Sequence, residues 1–290
     1  MSALGAAEPF VVGEAPLLRG EVAGEGPPIV LCHGITATRR YVVHGSRVLE
    51  RAGYKAVSYD ARGHGESEPA PPGDGYGYPQ LVADLERVVA AQVGEARFLL
   101  VGHSMGAHTA VAYALAHPER LAGLVVVGPV YRGEIKQSSL EYWDGLAAAL
   151  EGGGADGFVE YIAQEQGIDP AWRDSVLRFT RERILLHRHP EALVQALREV
   201  PRSRPFGGLS DLAELEMPAL IVASGDEADP GHPYDAAVAY AREMPAARLI
   251  SEGEGESPLA WQGGKLSREI AAFGEGLAAD NHSKALSWSS

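Results

Sequence analysis

Cysteine is nearly absent: the 290 residues contain one, Cys32, so an internal disulfide framework is excluded. Its place in the apolar run Ile29 to Cys32 reads as a small buried thiol. Positive charge is also scarce. Twenty-five Lys and Arg against 39 Asp and Glu leave a net charge of -14, and the longest basic run is the Arg39-Arg40 pair, so phosphate backbones and anionic lipids are repelled. The longest apolar stretch, Leu121 to Val130, is about half of what spans a bilayer, and Met1 to Phe10 lacks a basic segment followed by an apolar core. A cytoplasmic protein with no nucleic-acid or membrane partner is the expectation.

What is present is a rhythm. Short β-branched runs at Ile29 to Cys32, Ala56 to Tyr59, Phe98 to Val101, Leu124 to Val127 and Ala219 to Ala223 lack polar alternation, as strands buried on both faces do. Helix-period segments lie between them at Tyr41 to Ala52, Pro79 to Val93, Met105 to Ala116 and Pro233 to Met244. This alternation predicts an α/β fold with a mostly parallel, doubly wound sheet, whose sites fall at the carboxyl ends of strands. Between Tyr131 and Pro205 helical pattern takes over, with Tyr142, Trp143, Phe158, Tyr161, Trp172 and Phe179 read as interior residues, Gly152 to Gly154 as an interruption and Asp169-Pro170 as a helix start. The expected division is a core at 1–130 and 206–276, an inserted helical cap at 131–205, and a flexible tail at 277–290.

Three strand ends carry chemistry. Phe98 to Val101 runs into Gly102-His103-Ser104-Met105-Gly106, which opens a helix; glycines flanking a serine at such a turn let helix and strand approach and the hydroxyl project. The first run ends in Cys32-His33-Gly34-Ile35, and backbone amides of Ile35 and Met105 are placed to stabilise a developing oxyanion. The second ends in Asp60 to Ser67, a glycine turn organised by Asp60 and Arg62.

With His33-Gly34, Asp60-x-Arg62-Gly63-x-Gly65-x-Ser67, the serine elbow and Gly225-Asp226-Glu227-Ala228-Asp229-Pro230 in order, the sequence resembles the α/β-hydrolase superfamily, in particular its capped esterase, lactonase and C-C hydrolase-like members. The resemblance covers roughly Gly26 to Phe273. It implies Ser104 as nucleophile, the Ile35 and Met105 amides as oxyanion hole and Asp229 as triad acid, with Asp226 competing because this loop is one residue longer than the usual spacing.

One position departs. The family places a histidine after the last strand in a loop of the form G-x-G-H-S-P, and here Gly253-Glu254-Gly255-Glu256-Ser257-Pro258 puts Glu256 in that slot. Neutral imidazole suits proton removal from serine near pH 7 far better than a solvated carboxylate does. Three replacements are open: His232 on the loop of the acid, Glu256 as a base whose pKa is raised by sharing a dry site with Asp229, or loss of covalent turnover with a ligand pocket kept. The expected activity is hydrolysis of a small uncharged ester, lactone or related carbonyl compound. A lyase or isomerase using the Asp229/Glu256 pair and a non-catalytic binding protein are the alternatives. His108 and His117 are assigned to the helix after Ser104, and His187 and His189 to an ordinary polar turn with Arg181, Arg183 and Arg188. No metal-ligand spacing, phosphate loop or dinucleotide fingerprint appears, so neither metal nor organic cofactor is expected.

Overall fold

The computed structural model describes residues 5–164, 170–225 and 229–287. Its centre is a sheet of eight strands in the order β1-β2-β4-β3-β5-β6-β7-β8. They are β1 (Glu8–Val12), β2 (Leu18–Ala23), β3 (Pro28–Cys32), β4 (Lys55–Tyr59), β5 (Phe98–His103), β6 (Leu121–Val127), β7 (Ala219–Val222) and β8 (Ala247–Ile250). The β1/β2 and β2/β4 pairs are antiparallel; every other pair is parallel.

The apolar runs are continuous because both faces are covered. Along β3, Ile29 and Leu31 enter one core cluster, while Val30 and Cys32 enter the other, the period-2 alternation of a pleated strand. On one face lie helices α2 (Tyr78–Gln92), α3 (Met105–Ala116) and α7 (Tyr234–Glu243), through Leu85, Val88, Ala110 and Tyr240. On the other lie α1 (Val48–Arg51) and α8 (Gly263–Ser287), through Leu49, Leu266 and Ile270. Cys32 is buried in this core, where desolvation pushes its thiol up to about 12.

Between β6 and β7 the chain forms α4 (Gln137–Gln164), α5 (Arg173–Ile184) and α6 (Pro190–Glu199). Gly154, at φ 60°, kinks α4 where the glycine run lies. These helices bury Leu146, Leu150, Phe158, Ile184, Leu193 and Leu197 together, and Tyr142, Trp143 and Tyr161 pack against that cluster. They close over the carboxyl ends of the strands: Ile35, after β3, packs on the same cluster, and Arg188 donates its amide to the Gly65 carbonyl at 2.9 Å.

Several sequence expectations are corrected. The helix expected over Tyr41 to Ala52 shrinks to Val48–Arg51, because His44 and Gly45 take positive φ (47° and 69°) and break the run. The tail expected from 277 is helical as far as Ser287, and Leu277 packs against the core cluster on the α8 face. Phe179 is 52% exposed instead of interior, lying under the Arg178 guanidinium, and Trp172 meets Trp261 edge-on rather than joining the cap interior. Asp169, expected to start a helix, lies outside the described residues. No helix among the described residues is long and apolar enough to cross a membrane.

Candidate active site

Ser104 stands between β5 and α3 with φ 55° and ψ -115°, a conformation that non-glycine residues rarely adopt and that persists only where the surroundings enforce it. The enforcement is steric. A Cβ on Gly106 would come 2.1 Å from the Cys32 carbonyl oxygen, and one on Gly102 would come 2.1 Å from that of Gly106, so only glycines let α3 start this close to β3 and β5. Ser104 donates its amide to the Val127 carbonyl at the end of β6 at 2.9 Å, which fixes the bend. Its hydroxyl has no hydrogen-bond partner among the described residues, and neither do the Ile35 and Met105 amides donate to a loop acceptor or capping side chain. Gly34 brings the first loop against the serine: a Cβ there would lie 3.2 Å from Ser104 Cβ.

Asp229 and His232 form a pair on the loop after β7. His232 Nδ1 lies 2.9 Å from both carboxylate oxygens of Asp229, and the His232 amide donates to the Asp229 carbonyl at 3.0 Å. Both side chains are largely enclosed, 18% and 13% exposed. Burial alone would lower the imidazole pKa, but the charge and hydrogen bond of Asp229 outweigh it and hold the group above its ordinary 6.5. Burial likewise pushes the Asp229 carboxyl up, and His232, His103 and Arg183 together bring it below its ordinary value.

The pair sits beside the serine by two routes. The His232 ring packs over Gly128, whose added Cβ would lie 3.0 Å from His232 Cδ2; Gly128 follows Val127, the residue bonded to the Ser104 amide, and takes φ 56°. The ring of His103, adjacent to Ser104, is 5.0 Å from that of His232. Burial drives the His103 pKa down to about 3, so His103 is a neutral packing partner of the pair.

Glu256 is elsewhere. It is half-exposed, accepts the Gly253 amide at 3.1 Å and is ion-paired to Lys265. These contacts lower its carboxyl pKa, opposite to the rise that a dry site shared with Asp229 requires. The carboxylate turned inward on this loop is Glu252, which accepts from Ser224 Oγ at 3.0 Å, the Gly225 amide at 2.5 Å and the Leu259 amide at 2.9 Å. It ties the loop carrying Asp229 and His232 to the loop after β8. Asp226 lies outside the described residues.

Histidines read as ordinary polar or helical positions are buried connectors. His187 accepts the Gly65 amide at 3.0 Å and donates to the Thr36 carbonyl at 2.9 Å, joining the inserted helices to two strand-end loops. His108 accepts the amides of Val130 and Tyr131 at 3.0 and 3.1 Å and pairs with the Tyr78 hydroxyl at 3.0 Å. His33 accepts the Ala61 amide at 2.9 Å, and His64 is wedged between the rings of His33 and His187. In the Asp60 loop, Asp60 accepts the Arg39 and Glu66 amides at 2.7 and 3.0 Å, while Arg62 grips Asp84 through two bonds of 2.7 Å. An open groove of about 470 Å³, lined among others by Pro16, Arg19, Glu68, Pro71 and Arg188, contains none of the candidate site residues.

The fold has counterparts in known proteins. A sequence model of the alpha/beta hydrolase fold matches residues 27–256. The chain belongs to the α/β-hydrolase family. Among curated members, epoxide hydrolase B of Mycobacterium tuberculosis is 35% identical over 109 residues, 38% of this chain and 30% of that protein. The sn-1-specific diacylglycerol lipase ABHD11 of Xenopus laevis is 38% identical over 103 residues, 35% of this chain and 32% of the lipase. The matched stretch thus spans about a third of the length of each of these relatives. Among solved structures, a thermophilic esterase from Thermogutta terrifontis superposes with a TM-score of 0.76 at 21% identity, covering 94% of this chain and 99% of the esterase. The enol-lactonase from Burkholderia xenovorans LB400 gives 0.70 at 18% identity, covering 92% and 99%. At these identities the superpositions speak to the α/β-hydrolase fold.

Proposed function

We propose that this α/β-hydrolase family member is a serine hydrolase of small esters, lactones or related carbonyl compounds, with His232 as its general base. The observation that carries the reading is the oriented Asp229–His232 pair, whose imidazole packs over Gly128 and lies 5.0 Å, ring to ring, from His103, the residue before the strained Ser104. A serine hydroxyl needs a base to accept its proton as it attacks, and an imidazole oriented by a carboxylate through Nδ1 leaves Nε2 for that task.

In this mechanism the Ser104 oxygen adds to the substrate carbonyl carbon while its proton passes to His232 Nε2. The Ile35 and Met105 amides take the oxyanion. Collapse returns the proton to the departing alcohol and leaves an acyl-serine, which a water activated by His232 then hydrolyses. Asp229 stays ionised throughout and stabilises the imidazolium.

The test is hydrolysis of a short-chain aryl ester. Wild-type protein is expected to turn over repeatedly and Ser104→Ala to fall to the solution rate; equal rates for the two would refute the assignment. The Asp229/Glu256 lyase reading draws no support from the paired Glu256–Lys265 geometry.

A further inference from the structure

Thr36 is a buried, β-branched residue at φ 66°, a conformation such residues take only where the surroundings enforce it. It follows Ile35, whose amide is the oxyanion donor on the loop after β3. The two form the middle of a turn closed by the Ala37 amide, which donates to the Gly34 carbonyl at 3.0 Å, and Thr36 stands where glycine is the usual occupant. His33 Nδ1 also donates to the Gly34 carbonyl, at 2.7 Å. In a trans peptide the N–H points away from the C=O, so these two bonds set the direction of the Ile35 N–H.

The other hold on this turn comes from the inserted helices. His187 Nε2 lies 2.9 Å from the Thr36 carbonyl, across 151 residues of sequence. The ring is aimed by Gly65: its Nδ1 accepts the Gly65 amide at 3.0 Å, and the next amide, that of Arg188, donates to the Gly65 carbonyl at 2.9 Å. With Nδ1 accepting, the neutral imidazole carries its proton on Nε2 and donates it to Thr36. The rings of His187, His64 and His33 stand in a row, 5.6 and 5.2 Å between centroids, and brace the insertion against both strand-end loops. His187 is buried, so no solvent competes for its bonds.

We propose that His187 is a positioning residue for the reaction: by holding the Thr36 carbonyl it keeps the strained turn in the form that presents the Ile35 amide to the oxyanion. The inference rests on the reading of Ser104 as nucleophile and Ile35 as oxyanion donor. His187 does not touch the substrate. Without its bond Thr36 is free to relax to negative φ, which rotates the Ile35–Thr36 peptide and shifts the turn away from the serine. A misplacement of about 1 Å at a reacting centre can cost about 10²-fold in rate. The inserted helices thereby help to shape the oxyanion hole as well as covering it.

Two substitutions separate the two bonds of the ring. His187→Asn leaves an acceptor at the Nδ1 position and nothing at Nε2, so the Gly65 bond is kept and the Thr36 bond is lost. His187→Gln puts an amide nitrogen at the Nε2 position, so the Thr36 bond is kept. For each, kcat and KM are read on a short-chain aryl ester. The affinity of an aryl trifluoromethyl ketone is read beside them, since its carbonyl carbon takes the Ser104 oxygen and its anion occupies the oxyanion hole. His187→Asn is expected to lower kcat and ketone affinity together by about 10- to 100-fold, with KM within about threefold, and His187→Gln to restore most of both. Values unchanged in His187→Asn, or lost equally in the two variants, would overturn the role. Should His187→Asn not fold, His187→Gln decides alone: kept ketone affinity supports the role, and a loss of about tenfold or more contradicts it. Wild-type protein inert toward both ester and ketone sinks the serine mechanism itself, whereas an active wild type with insensitive variants sinks only the role of His187.

Discussion

Asp229 and His232 are three residues apart on one loop, and the carboxylate holds the imidazole through both of its oxygens at 2.9 Å. A pair so close in sequence moves as a unit with its loop. That loop is anchored at one side by Glu252 and overlies Gly128 at the other.

The first consequence is kinetic. His232→Gln and Asp229→Asn are each expected to lower kcat/KM for a small ester by about 10² to 10⁴, the range that general-base catalysis supplies. The double variant should lose little more than the worse single one, since residues acting as a unit are not additive. Rates of the purified variants on one ester check both statements.

The pH profile follows from the raised pKa of His232. The base must be neutral to act, so kcat/KM should rise with pH through a midpoint above 6.5 and level off on the alkaline side. A midpoint near 4, the carboxyl range, would assign the base to a glutamate instead.

Glu252 and Glu256 exchange importance relative to the family loop pattern. Glu252→Gln replaces an acceptor that serves three donors and is expected to destabilise the fold by about 1 to 3 kcal/mol and to lower kcat by loosening the His232 loop. Glu256→Gln should leave both the denaturation midpoint and the rate unchanged, because it removes only an exposed pair with Lys265. Urea unfolding and ester hydrolysis of the two variants give the comparison.

Acid should unfold this protein early. His64, His108 and His187 are held neutral by burial, with pKa values of about 4, 3 and 3, and His33 lies well below 6.5 for the same reason. The unfolded chain takes up these protons near 6.5 and the folded chain does not. Their contribution to stability is therefore complete above pH 6.5 and is lost as pH falls toward 4, at up to about 1.4 kcal/mol per histidine per pH unit. His232 acts in the opposite sense: its raised pKa adds stability that is complete below 6.5 and fades as pH climbs through the folded value. Four groups outweigh one, so denaturant midpoints should fall steeply between pH 6.5 and 4.

Much of this was legible in the sequence. The buried strands show as unbroken apolar runs, and Gly102 and Gly106 mark the elbow because no other residue permits those approaches. The Asp229–His232 contact could be named only as one of three options, since a spacing of three residues does not fix where a ring points. Glu256 drew attention by occupying a familiar slot, while Glu252 carried no local signal: its partners Ser224, Gly225 and Leu259 come together only when β7 and β8 pair. His187 was hidden for the same reason, its two acceptor and donor groups lying on loops more than a hundred residues earlier.

Covalent labelling reads the central claim most directly. Wild-type protein is incubated with a fluorophosphonate between pH 6 and 9, beside His232→Gln, and the adduct is located by peptide mass. One adduct on Ser104, forming faster as pH rises and at least tenfold slower in His232→Gln, is the predicted result. An unlabelled Ser104, or labelling at the same rate without His232, would contradict it.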